Sequence, residues 1–281
     1  MGRRFGAPAI VLMTVLLTGC GPSAGNTAGT PTSAPPPSPF VPAAGTCHAT
    51  VEPIAPRNKY APVDCAGKHR AETAYVGTFT GPDADRGTPP SADQDADKRA
   101  FQGCGPEATK YLGADWRGGL LTIQVVVPGA DDWTAGSRWY RCDLVTVQML
   151  DIEAVTTEHT GSLRGEFTHT SPLALGCFNQ DKKEKWIPQP CTKPHRFEYV
   201  GIWSAPEDTY QTVADKPEPV MDHCRVVIAA YTGNAEFGRD AGVWFQFPPW
   251  KAWALGDHAV RCLYWNDERD ETFSLKHRFR R

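Results

Sequence analysis

Apolar positions along this 281-residue chain come in short runs broken by Pro and Gly, with one longer run, Ala7 to Leu17, near its start. Beyond residue 44 the short runs recur in one order. The β-rich segments Glu72-Thr-Ala-Tyr-Val and Phe197-Glu-Tyr-Val-Gly each predict a strand. A helical pattern follows each, over 91–112 and roughly 216–231, with Gly113 and Gly233 placed where a helix ends on a left-handed glycine. Two more strands close each half, 120–127 with 138–149 and 243–247 with 259–265, each pair separated by a Pro/Gly turn. The expected class is α+β: two similar small domains, each about β-β-α-β-β, with the helix laid on the sheet. In the strand 243–247, alternation sets Trp244 and Gln246 on one face and Phe245 and Phe247 on the other.

The recurrence extends to single residues. Cys65-Ala-Gly-Lys-His69-Arg70-Ala-Glu72 parallels Cys191-Thr-Lys-Pro-His195-Arg196-Phe-Glu198. Tyr111 and Gly113 follow Cys104 at the distances at which Tyr231 and Gly233 follow Cys224. Trp133-x-x-Gly136 precedes Arg141-Cys142 as Trp253-x-x-Gly256 precedes Arg261-Cys262, and Ser162-Leu163-Arg164 resembles Ser274-Leu275-Lys276. Shared order at near-constant offset marks an internal duplication. The first copy is assigned to 45–168 and the second to 172–281, joined through a Gly, Thr and Ser-rich stretch.

The start of the chain reads as an export signal over 1–20: Arg3 and Arg4, the apolar run, then Leu17-Thr18-Gly19-Cys20. That ending resembles the bacterial lipobox, which makes Cys20 the expected site of lipidation and the membrane a partner through acyl chains, palmitate among them. The stretch 21–44 is almost wholly Gly, Pro, Ser, Thr and Ala and has too little apolar surface to fold, so it reads as a disordered tether. The expected location is extracytoplasmic, lipid-anchored to the cell membrane. Cysteine usage agrees. Setting Cys20 aside leaves eight: Cys47, Cys65, Cys104, Cys142, Cys177, Cys191, Cys224 and Cys262. An even set in an exported chain reads as four disulfides. Four cysteines per half allow three connectivities; the preferred one pairs Cys47 with Cys65 and Cys104 with Cys142, and likewise Cys177 with Cys191 and Cys224 with Cys262.

Cys191-Thr-Lys-Pro-His195-Arg-Phe-Glu198 and Trp253-Ala-Leu-Gly256-Asp257-His-Ala-Val-Arg-Cys262 are similar to the core motifs of the septum-formation domain of actinobacterial envelope proteins. The second copy fits closely. The first departs, with Gly67-Lys68 before His69 and Ser137 after Gly136. The resemblance implies an extracytoplasmic protein associated with septation, and no catalytic residues carry over with it.

Net charge is only -3, with acidic and basic residues interspersed, so nucleic acid is not an expected partner. No Gly-x-Ser-x-Gly, His-Glu-x-x-His or phosphate-binding Gly loop occurs, and no cofactor or metal is expected. The paired carboxylates Asp131-Asp132 read as solvated turn-formers. The repeated His69/Glu72 and His195/Glu198 have two readings. In the preferred one, His caps the turn beside a disulfide and Glu pairs with Arg. In the other they hold a metal for a cell-wall hydrolase, although residues three apart on a strand point to opposite faces. The candidate binding residues are His195, Glu198, Trp244, Trp250 and Trp253. The resulting expectation is a non-enzymatic binding or scaffold lipoprotein of the cell envelope, its partner a wall polymer or a divisome protein.

Overall fold

The computed structural model describes residues 39–90, 95–148, 155–168, 171–182 and 186–279. The signal, Cys20 and the tether as far as residue 38 lie outside the described residues. In the first half run β1 (Cys47–His48), β2 (Ile54–Ala55), β3 (Lys68–His69), β4 (Ala71–Thr78), α1 (Asp95–Leu112), β5 (Leu121–Pro128), α2 (Ala130–Thr134), β6 (Trp139–Thr146) and β7 (His159–Thr160). The second holds β8 (Cys177–Gln180), β9 (Trp186–Gln189), β10 (Phe197–Ser204), α3 (Thr209–Thr212), α4 (Glu218–Thr232), α5 (Ala235–Asp240), β11 (Gly242–Gln246), α6 (Trp250–Ala254) and β12 (Ala259–Trp265). This is a mixed α+β protein with two five-stranded sheets, ordered β1-β4-β6-β5-β2 and β11-β12-β10-β8-β9.

The two halves share a hydrogen-bond register. Glu72 pairs with Leu144 and Glu198 with Tyr264; both ladders then slip by one residue, between Thr73 and Tyr75 and between Tyr199 and Gly201. One long helix covers each sheet because its apolar residues recur every four positions: Ala96, Ala100, Cys104, Ala108 and Leu112 in α1, and Val220, Cys224 and Ile228 in α4 are all buried. Both helices stop at a glycine in the left-handed region, Gly113 at φ 87° and Gly233 at φ 78°.

The disulfides are Cys47–Cys65, Cys104–Cys142, Cys177–Cys191 and Cys224–Cys262, each within its own half. In each half one bridge closes the opening loop and the other ties the long helix to a central strand of the sheet, α1 to β6 and α4 to β12.

Two local expectations need correcting. The Pro/Gly turns before the last strands are short helices, α2 and α6, because Pro128-Gly129 and Pro248-Pro249 lead into a helical turn that buries Trp133 and Trp253. Asp131 and Asp132 therefore sit in the first turn of a helix, where negative charge is favoured, and Asp132 accepts from the Arg57 backbone N–H at 2.8 Å.

The chain from Pro39 onward is one compact unit. Residues 39–44, read above as the end of the tether, lie against it: Pro42 is buried and the Phe40 ring meets Tyr60 at 4.9 Å. The halves also share a core, since Ala252 and Leu255, from α6 and its C-cap, join the cluster built on α1 and β5. Across the same contact Arg117 donates to Asp257 at 2.7 Å, Arg261 to the Arg117 carbonyl at 2.9 Å, and the Leu175 N–H to the Gly118 carbonyl at 2.8 Å.

Candidate functional site

The five candidate binding residues separate into two groups. His195, Glu198 and Trp253 are buried, whereas Trp244 and Trp250 are 41% and 50% exposed. The buried three are engaged by the fold itself. His195 Nδ1 lies 2.8 Å from the Lys193 carbonyl, as His69 Nδ1 lies 3.0 Å from the Gly67 carbonyl. A carbonyl only accepts, so Nδ1 carries the proton and each ring closes its own turn. Nε2 of both rings has no hydrogen-bond partner among the described residues.

Glu198 accepts from the Tyr231 hydroxyl and the Ser274 hydroxyl through Oε1, and from the Leu275 N–H at 2.9 Å through Oε2. Glu72 repeats this with Tyr111, Ser162 and, at 2.6 Å, the Leu163 N–H. The glutamates thus pair with hydroxyls and a main-chain N–H rather than with arginine, as the preferred reading had it. The physical reason is position: Glu72 and Glu198 point inward beneath the long helix, where a tyrosine on its last turn and the exit segment reach them. Burial, reinforced by the Glu72 carboxylate, pushes the Tyr111 phenol up to about 12, and burial raises Tyr231 in the same direction.

Trp253 Nε1 donates to the Glu207 carbonyl at 3.0 Å, matching Trp133 and the Arg86 carbonyl at 2.7 Å. Gly256 and Gly136 turn the chain at φ 102° and 98° after these helices. Asp257, the motif residue for which the first copy has Ser137, accepts from Arg117 of the first half.

These geometries account for His195, Glu198, Trp253, Gly256 and Asp257 of the motifs quoted above. The septum-formation family's profile matches residues 44–262 in a single span across both halves. The chain belongs to the septum-formation family. Its function is therefore related to septum formation, and a disulfide-rich member of this family is consistent with an extracytoplasmic location. No curated protein and no solved structure matches the chain significantly.

The family motif residues build the framework, and the groups that reach solvent lie elsewhere. Trp244 points from β11 to the sheet face away from α4, as alternation requires. There its ring meets Trp186 at 6.2 Å, Phe197 at 6.1 Å and Trp265 at 6.4 Å. Phe197 and Trp265 were not among the candidates. The signal that finds them is the same alternation applied to β10 and β12, which sets both on the Trp244 side. Trp250 belongs to a different cluster, against Tyr210 at 5.1 Å. The structure therefore does not gather the five candidates around one concavity.

As metal donors, Glu72 and Glu198 each approach a pair of sulfurs, Cys47 with Cys65 and Cys177 with Cys191. Those sulfurs are bonded to each other, so they offer no thiolate, and the carboxylates are already taken by their three donors. No other convergent group of three or more His, Cys, Asp or Glu occurs among the described residues.

Proposed function

We propose that the protein is a non-enzymatic envelope lipoprotein, acylated at Cys20, that takes part in septum formation as a binding or scaffold module. The observation that carries this reading is the aromatic face of the second sheet, where Trp244 stands 41% exposed within a cluster of Trp186, Phe197 and Trp265. Exposed indoles backed by a rigid aromatic layer suit stacking on the sugar faces of a wall polymer, because the ring is preordered and loses little freedom on contact. The repeated glutamates support the same reading from the other side, since their carboxylates serve the fold.

The test is sedimentation of the purified full chain with isolated cell wall. Retention is expected, reduced at least fivefold by Trp244→Ala, whose cost to stability is small because the residue is exposed. Equal retention of the two proteins, or retention no greater than that of reduced, unfolded chain, overturns the reading.

A further inference from the structure

On the face of its sheet away from α1, the first half carries a buried polar chain. His48 Nε2 lies 3.0 Å from Thr73 Oγ1, Thr73 donates to Asp143 at 2.8 Å, and Arg141 donates to the other Asp143 oxygen at 3.0 Å. The Arg141 charge is answered within the chain. Strand register places Phe178, Tyr199, Leu263 and Arg261 at the corresponding positions of the second half. The arginine is kept, and its carboxylate is replaced by Leu263.

Arg261 is only 2% exposed. Its Nε donates to the Arg117 carbonyl, while one terminal guanidinium nitrogen, Nη1, has no hydrogen-bond partner among the described residues. The two carboxylates that act on it from nearby, Asp257 and Asp115, are both held by Arg117, at 2.7 and 3.5 Å. A buried guanidinium without a carboxylate of its own is costly, and burial pulls Arg261 below the usual arginine range. Beside it opens a narrow cleft with about 30 Å³ of enclosed room, walled by Phe178, Trp186, Tyr199 and Leu263 and by Leu120 of the first half.

We propose that this cleft binds a compact carboxylate with an apolar body, which takes on Arg261 the place that Asp143 takes on Arg141. The guanidinium supplies a charge-assisted hydrogen bond in a water-poor setting, and the leucines and aromatic rings hold the body. The site adjoins the Trp244 face, since Trp186 belongs to both. Acid binding is measured without wall and wall retention without acid, so either reading can fail alone.

The experiment titrates the purified full chain with hexanoate and with hexanamide, read by tryptophan fluorescence, since Trp186 lines the cleft. Hexanoate should saturate and hexanamide bind at least tenfold more weakly. Acetyl-leucine against its amide shows whether a peptide end is preferred to a free acid; a tenfold preference for the acid form supports the site in either case. Leu263→Asp, which rebuilds the first half's internal pair, should weaken hexanoate at least tenfold, and Arg261→Met should remove the preference for acid over amide. Equal binding of acid and amide, absence of saturable binding by both acids, or unchanged binding in folded Leu263→Asp protein overturns the proposal. Should neither variant fold, the acid and amide comparison on the unaltered chain decides.

Discussion

At Glu198 one carboxylate accepts from a tyrosine, a serine and a main-chain N–H that come from a helix and from the exit segment of its half. Removing it leaves three donors facing an apolar interior. Glu198→Ala should cost roughly 3–5 kcal/mol and Glu198→Gln about 2, because the amide keeps one acceptor oxygen. Denaturant midpoints check both. A charge effect belongs to the same scale in the first half. Burial, helped by Arg141 and His69, lowers His48 to about 4 from 6.5. Between those values the unfolded chain binds a proton that the folded chain refuses. Stability is therefore full above pH 6.5 and falls as pH drops toward 4, by at most about 1.4 kcal/mol per unit and less where the ring edge is still solvated. Thermal unfolding at pH 7 and pH 5 measures this, and His48→Asn should flatten the difference.

The long helices and strands follow from residue periodicity, and the disulfides lock them pairwise. Cys104–Cys142 and Cys224–Cys262 each span 38 residues, and Cys177–Cys191 spans 14. On loop-closure entropy the longer bridges contribute about 4 kcal/mol and the shorter about 3. Replacing Cys224 and Cys262 together by Ala should thus lower stability more than replacing Cys177 and Cys191, a ranking that chemical denaturation resolves. The helices α2 and α6 were not legible in the sequence. Five residues are too few to show a helical period, and the prolines before them signal a turn as readily as a helix start. What fixes them is tertiary: Trp133 and Trp253 must bury their rings and still donate from Nε1 to a carbonyl 47 and 46 residues away in the chain.

For the whole molecule, the contact between halves is specific rather than a loose tandem. Arg117 and Asp257 meet at 2.7 Å with the Asp257 side chain 1% exposed, and the Arg117 backbone carbonyl receives Arg261. A double-mutant cycle of Arg117→Ala and Asp257→Ala should return a coupling of about 1–3 kcal/mol, because the pair is largely withdrawn from water. Additive effects would show that the halves hold together without it. The same comparison explains why the Arg261 cleft escaped the sequence. Arg261-Cys262 was visible as the partner of Arg141-Cys142, yet the decisive difference, Leu263 for Asp143, is one residue whose meaning depends on register.

By itself the sequence determined the recurrence of motifs, the α+β class and the face on which Trp244 lies, and it left three sulfur pairings open in each half. What it determined follows from local period and constant offset, which survive in a one-dimensional string. Only the tertiary structure decided that His195, Glu198 and Trp253 are interior, that the halves share a core, and that Arg261 is buried with no carboxylate of its own among the described residues. Burial and charge pairing depend on what residues distant in the chain bring to a position, and no spacing along the chain records that.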